Sequence, residues 1–309
     1  MTVTSIEWTD ATWNPVRGCT KVSPGCANCY ASTFAERFRG VPGHAYEQGF
    51  DLRLVPEKLA EPLSWRKPRR VFVNSMSDLF QDGAPDTYID QVFAVMALTP
   101  QHTYQVLTKR PERMLAYITR LAKSIAPIEK AARDLGHSFA FEGMSLLRWP
   151  IPNVWLGTSI ENQHFADERI PILLETPAAI RFISAEPLLE GLDLAKHRIG
   201  ALGLGWCIVG GESGPGARPC HTWWIKNIIG QCRDADVPVF VKQMGALPLV
   251  KQGRQQHWEW RHIQRDERHR LLQHDDADWR VNLTDRKGGI MDEWPPDLRV
   301  REFPSNGAK

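Results

Sequence analysis

Val71-Phe72-Val73-Asn74-Ser75-Met76-Ser77-Asp78 is a short apolar run that ends in small and polar residues. The same form returns at Tyr104-Gln105-Val106-Leu107-Thr108, Val154-Trp155-Leu156-Gly157-Thr158 and Ile180-Arg181-Phe182-Ile183-Ser184. It returns again at Trp206-Cys207-Ile208-Val209-Gly210 and Val237-Pro238-Val239-Phe240-Val241. Each run is strand length and rich in β-branched or aromatic residues. Helix-like stretches follow several of them, at Asp86–Leu98, Pro111–Leu121, Asn162–Leu174 and Thr222–Ala235. Near-continuous apolar strands alternating with helices predict an α/β fold, with a parallel sheet covered on both faces. A weaker strand is expected ahead of them at Trp13–Arg17.

Just past these runs the sequence turns polar or charged. The tips read Asn74-Ser75-Met76-Ser77-Asp78, Thr108-Lys109-Arg110, Thr158-Ser159-Ile160-Glu161, Ser184-Ala185-Glu186-Pro187, Gly210-Gly211-Glu212-Ser213 and Lys242-Gln243. In parallel α/β architectures ligands bind at the carboxyl ends of the strands. The tips are therefore expected to contribute to one site.

Two segments stand outside the repeat. Residues 122–150 read as an insertion, helical at Ile125–Asp134, into a domain covering 1–245. Residues 246–309 read as a polar C-terminal cap, with Glu293–Pro304 carrying enough apolar anchors to pack back on the domain.

Composition narrows the functional classes. The 309 residues carry 38 Lys and Arg against 36 Asp and Glu, and 42% are hydrophobic. Such a chain is neither a disordered polyelectrolyte nor a polycation that coats nucleic acid by charge alone. The opening MTVTSIEWTDATW lacks a basic stretch followed by an apolar core, and no run reaches about 18 apolar residues, so neither a signal peptide nor a membrane span is expected. The expected location is the cytoplasm. Phosphate-loop, zinc-protease and nucleophile-elbow motifs are absent from the sequence. The basic run Trp65-Arg66-Lys67-Pro68-Arg69-Arg70 and the tail pair Trp258 and Trp260 are weaker nucleic-acid signals.

The most specific feature is Gly18-Cys19-Thr20-Lys21-Val22-Ser23-Pro24-Gly25-Cys26-Ala27-Asn28-Cys29-Tyr30, a C-x6-C-x2-C arc ahead of a helix expected at Ala31–Phe38. Structural disulfides are rare in reducing compartments, so three thiols this close point to metal ligation by Cys19, Cys26 and Cys29. Two centres suit them. Zinc needs a fourth ligand, from His44, Cys207, Cys220 or Cys232. A [4Fe–4S] cluster held by three cysteines leaves one iron open to an external ligand.

With these residues in view, the chain resembles a phage- and prophage-associated three-cysteine-motif family of unknown function, and through it the radical S-adenosylmethionine (SAM) enzymes. The resemblance to the phage-associated family rests on Trp13-Asn14-Pro15, Gly18-Cys19, the Ser23–Tyr30 core, Val71–Phe80 and Thr108-Lys109-Arg110-Pro111. Gly157-Thr158-Ser159, Ser184-Ala185-Glu186-Pro187-Leu188, Gly210-Gly211-Glu212-Ser213 and the Glu293–Pro304 ending extend it over nearly the whole chain. The radical-SAM likeness rests on the cysteine loop and the strand order. Here the first cysteine arc is three residues longer than the usual C-x3-C-x2-C, and Asn28 stands where an aromatic is common.

The radical-SAM resemblance implies an open or partial (β/α)6 TIM-like barrel. It also implies a [4Fe–4S] cluster on Cys19, Cys26 and Cys29 whose fourth iron takes SAM, and reductive cleavage of SAM to a 5′-deoxyadenosyl radical. SAM would then draw on Asn74, Ser75, Asp78, Thr158, Ser159 and Glu161 for polar contacts, and on Gly210 and Gly211 for close backbone approach. Glu186, Glu212, Lys109 and Lys242 are the candidates for catalysis and substrate charge. The association with phage suggests a nucleotide or nucleic-acid substrate, with or without a partner protein. The competing reading is a binding protein with a structural zinc in the cysteine loop and nucleic acid as its partner.

Overall fold

Seven of the apolar runs form strands, and they lie side by side in chain order. They are β1 (Ala11–Trp13), β2 (Arg70–Val73), β3 (Thr103–Thr108), β4 (Val154–Ser159), β5 (Ile180–Ala185), β6 (Leu204–Gly210) and β7 (Val239–Gln243). The computed structural model describes residues 4–141, 144–145, 147, 149–201, 203–251, 260, 271–274 and 278–305. β1 pairs with β2, β2 with β3, β3 with β4 and β6 with β7, all in parallel. A doubly wound sheet reverses its strand order at a switch point. This sheet never reverses, so it is the open, partial-barrel kind of α/β fold. The chain divides into two compact units, Met1–Thr158 with Ile172–Arg181 and Ser159–Pro171 with Phe182–Lys309.

In the first unit, β2, β3 and β4 connect through α2 (Asp86–Leu98), α3 (Pro111–Lys123) and α4 (Ala126–Asp134), while α1 (Tyr30–Glu36) follows the cysteine loop. Pro111 opens α3, where its missing N–H costs nothing. Every residue of β4 is buried, as expected for a strand covered on both faces. Trp13 and Tyr104 meet at 5.8 Å in the core, and Trp13 Nε1 donates to the Lys58 carbonyl at 2.7 Å.

The expected Val237–Val241 run is a strand over Val239–Gln243 and the Trp206 run begins at Leu204; two other expected strands change their bounds for local reasons. The Trp13–Arg17 run breaks at Asn14-Pro15: Ala11–Trp13 joins the main sheet, and Val16–Arg17 pairs antiparallel with Arg53–Leu54. The Val71 run stops at Val73, because Asn74 takes a left-handed conformation with φ 61°. The insertion holds α4 and a short pairing of Ala140–Phe141 with Met144–Ser145.

α5 (Gln163–Glu175) precedes β5 in sequence, and in the second unit α6 (Thr222–Asp234) lies between β6 and β7 in sequence. A smaller sheet orders Cys220–His221, Pro248–Lys251, Asp278–Val281 and Leu271–Gln273. Of the tail pair singled out above, Trp258 lies outside the described residues, whereas Trp260 is buried. The closing segment runs antiparallel to β7. Val241 N–H donates to Val300 O at 2.8 Å, and Glu302 N–H donates to Val239 O at 2.9 Å. Beneath it, Trp206 is fully buried among Phe182, Phe240 and Phe303, and its Nε1 donates to Glu302 O at 2.8 Å. Among the described residues no helix is long and apolar enough to cross a membrane.

Trp206→Ala removes the ring that joins the sheet to the closing segment. It is expected to cost about 3–5 kcal/mol, as large aromatic truncations in cores do, read as a lower urea midpoint at unchanged slope.

Candidate functional site

The cysteine arc is built into the first unit by contacts at both ends. Gly18, at φ +76°, brings the chain so close to Phe50 and Asp51 that a Cβ would stand 2.1 Å from the Asp51 carbonyl oxygen. Only glycine fits there. Gly18 N–H donates to Met76 O at 3.1 Å, Cys19 N–H to Phe50 O at 3.2 Å, and Gln81 Nε2 to Gly18 O at 2.6 Å. At the far end the Tyr30 hydroxyl donates to Ser75 O. Between them Pro24–Cys26 makes one 3-10 turn, and Lys21 Nζ donates across the arc to Ala27 O at 3.3 Å. Both legs are thus tied to the loop that follows β2.

All three thiols of the arc are half-buried, whereas Cys207, Cys220 and Cys232 are buried in the second unit. Burial pushes the Cys19 thiol up to about 11; the Asp78 carboxylate adds to the rise and the Arg110 guanidinium opposes it. Such a thiol ionises when it ligates a metal cation. Among the described residues no group of three or more His, Cys, Asp or Glu side chains is gathered tightly enough to grip an ion as it stands. Soft sulfur on one short arc is nonetheless the donor chemistry that iron–sulfur clusters and zinc require. Of the fourth ligands considered for zinc, His44 stacks on Phe38 at 3.8 Å and takes the Tyr46 N–H on Nδ1. Burial raises Cys220 to about 12, and a hydrogen bond with Cys232, with burial, raises Cys207.

The loop after β2 carries three of the expected ligand contacts. Asn74 is buried, its Oδ1 accepts the Val16 N–H at 3.4 Å, and its Nδ2 has no hydrogen-bond partner among the described residues. Ser75 Oγ donates to Asn14 Oδ1 at 3.2 Å. Asp78 accepts from Phe80 N at 2.9 Å, Thr108 Oγ1 at 2.7 Å, Lys109 N at 2.9 Å and Arg110 Nη1 at 3.1 Å. It holds the Thr108-Lys109-Arg110 turn, and Lys109 is half-exposed at the head of that turn. Thr158 is buried, with its hydroxyl on Thr108 O at 3.0 Å.

The second unit carries the rest. Glu161 is fully buried and meets Arg169 Nη1 at 3.3 Å, and the same nitrogen donates to Ser159 O at 2.8 Å. Glu186 pairs with Lys242 at 3.0 Å and accepts from Ser184 Oγ at 3.1 Å. Glu212 takes Arg218 in a two-pronged pair, Nε to Oε2 at 2.9 Å and Nη2 to Oε1 at 2.6 Å. Glycine is needed at Gly211 because a Cβ there would stand 2.4 Å from Met244 O; at Gly210 it would meet Glu186 Oε1 at 3.0 Å. What crowds both positions is the protein itself. A cavity of about 370 Å³, with Gly214, Gly245, Arg280 and Arg286 in its wall, also lies in this unit, but none of the expected site residues lines it.

The sequence does not reveal the partner roles of Arg110, Asn14 and Ser184, which lie in the motif stretches, or of Arg169 and Arg218, which lie outside them. The adjacent Lys109-Arg110 pair was visible, but which member turns inward depends on Asp78. The basic run is partly absorbed, since Arg70 pairs with Asp10 at 3.0 Å and Arg69 lies 5.7 Å over the Trp65 ring.

The sequence model of a family described as "Protein of unknown function (DUF5131)" matches residues 3–278. The sequence matches no curated protein. Among solved structures, a double mutant of spore photoproduct lyase with bound AdoMet and dinucleoside spore photoproduct aligns with 87% of this chain and 68% of its own, at 10% identity and a TM-score of 0.38. A single mutant of the same lyase aligns with 91% and 70%, at 10% identity and a TM-score of 0.40.

Arg169→Met removes the guanidinium that answers the buried Glu161 carboxylate. A loss of about 3–5 kcal/mol is expected in urea unfolding, as for other broken buried pairs. Glu161→Leu combined with Arg169→Met should recover most of it.

Proposed function

The chain belongs to the DUF5131 family, and we propose that it is an iron–sulfur enzyme of the radical-SAM type, with Cys19, Cys26 and Cys29 holding a [4Fe–4S] cluster and SAM as co-substrate. The observation that carries this reading is the build of the arc: three half-buried thiols on eleven residues, with both legs fastened to the loop after β2. Three sulfur donors suit a cluster with one iron open to SAM, whereas structural zinc asks for four protein ligands.

The cluster, when bound, supplies the electron that breaks a C–S bond of SAM and so starts hydrogen abstraction from the substrate. The chain supplies placement. Arg110 directs an N–H at the Cys19 sulfur. Asn74 offers its unpartnered Nδ2 as a donor for a carboxylate such as that of SAM. In the second unit Glu186 and Lys242 are the partly exposed pair, open to a ligand's ammonium and carboxylate. Glu161 is sealed against Arg169 and serves stability. A nucleotide or nucleic-acid substrate, suggested by the phage-associated family resemblance, is the first class to assay.

The test is anaerobic purification with iron, sulfide and zinc quantified and the visible spectrum recorded before and after dithionite and SAM. A brown protein with roughly four irons, as a cubane cluster contains, that cleaves SAM on reduction is the expected result. Cys19→Ala, Cys26→Ala and Cys29→Ala should each lose the cluster, and Cys232→Ala should keep it. Iron retained by all three arc variants would sink the ligand assignment. A colourless chain with about one zinc, even after reconstitution, would favour the zinc-binding alternative, and salt-dependent nucleic-acid binding would then decide its partner.

A further inference from the structure

Arg110 belongs to one of the polar strand tips but is given no role of its own by the sequence, and its guanidinium is buried. Its Nη1 lies 3.6 Å from Cys19 Sγ and 3.1 Å from Asp78 Oδ2. Its Nη2 donates to Thr20 Oγ1 at 2.7 Å and to Thr20 O at 3.2 Å. Its own N–H is held by Thr108 Oγ1 at 2.9 Å. The side chain therefore has one place to be. It bridges the β3 loop to the first leg of the cysteine arc, at the residues on either side of the Cys19–Thr20 peptide bond. Cys26 Sγ lies 3.7 Å from a neutral hydroxyl, Ser23 Oγ. Cys19 and Cys26 thus differ in the group beside the sulfur, a guanidinium N–H at one and a hydroxyl at the other.

We propose that Arg110 is the positioning residue of the centre: it fixes the Cys19 sulfur as the immobile ligand and, by its N–H bond to that sulfur, raises the reduction potential of the cluster. The proposal rests on the iron–sulfur reading above. Asp78 cancels the net charge of Arg110, so the sulfur feels an oriented N–H dipole more than a free cation. When a cluster gains an electron, negative charge on its ligating sulfurs grows, and a donor aimed at one of them binds the reduced form more tightly. Charge-assisted hydrogen bonds of this kind favour one state over another by about a factor of ten. Asp78 and Thr20 act one step further out, by holding the guanidinium.

The experiment is a potentiometric titration of the reconstituted full chain, followed by electron paramagnetic resonance, with iron counted in parallel. The variants are Arg110→Met and Thr20→Val. The second leaves the buried Arg110–Asp78 pair intact and removes only the Thr20 hydroxyl, so it reports even where Arg110→Met does not fold. Arg110→Met should lower the ratio of reduced to oxidised cluster about tenfold at fixed poise, a fall of about 59 mV for one electron. Thr20→Val should move the potential the same way by a smaller step. Full iron and an unchanged midpoint in Thr20→Val and in any folded Arg110→Met would overturn the proposal. If wild type holds zinc in place of iron, the iron–sulfur reading falls first. The positioning role is then read from Co(II)–thiolate absorbance: about tenfold weaker Co(II) binding in Arg110→Met, or in Thr20→Val by a smaller factor, supports it, and unchanged binding overturns it. A wild-type chain that takes up neither iron nor Co(II) overturns both.

Discussion

One carboxylate organises the cysteine site. Asp78 sits at the end of the β2 loop with both oxygens engaged, receiving one donor from its own turn and three from Thr108, Lys109 and Arg110. A buried carboxylate is tolerated only when its lone pairs are met and its charge is answered. Asp78 meets both conditions by drawing two strand-end loops together. Arg110 carries the same constraint on to Thr20 and Cys19. The cysteine arc is therefore fixed to the ends of β2 and β3, and does not hang from the chain as an independent flap. Without Asp78 the guanidinium would be buried with no counter-charge, which is the costly half of a broken ion pair.

The second unit answers its strand-end charges in the same way. Glu161 has Arg169, Glu186 has Lys242, and Glu212 has Arg218. The three pairs differ in wetness. The first is sealed, while the cations of the other two reach solvent. Solvent-reaching pairs are weak by comparison and can exchange partners with a charged ligand at little cost. A sealed pair cannot do so without unfolding its surroundings. Three strand-tip acids that look equivalent along the sequence, Glu161, Glu186 and Glu212, thus differ in how deeply their partner cations are buried.

Much of this architecture is written locally. α2 begins and ends where its apolar spacing and the following Thr99-Pro100 say it should. The sheet runs are visible because strands buried on both faces leave almost no polar residues in them. The errors fall where long-range contacts decide. Asn74 ends β2 by turning left-handed, and its N–H is held by Trp13 O, some sixty residues earlier in the chain. The polar tips were legible as a set, but their pairings were not. Eight residues separate Glu161 from Arg169, and fifty-six separate Glu186 from Lys242. Nothing in residue type tells a ligand-binding acid from one that neutralises a neighbour. At Gly210 and Gly211 residue type foretells a close approach, and the atoms nearest an added Cβ are Glu186 Oε1 and Met244 O.

The segment lying along β7 has a consequence for how the molecule is handled. An open sheet offers unpaired N–H and C=O groups at its edges, and such edges recruit strands from other molecules. Here the β7 edge is covered by residues about sixty positions further along the chain, with Arg301 reaching back to the Val241 and Lys242 carbonyls. Contacts that distant in sequence form late during folding. Until they form, Val239-Phe240-Val241 is a bare apolar edge. Yield on refolding should therefore be governed by concentration, with intermolecular strand pairing competing against the return of the chain's own closing segment.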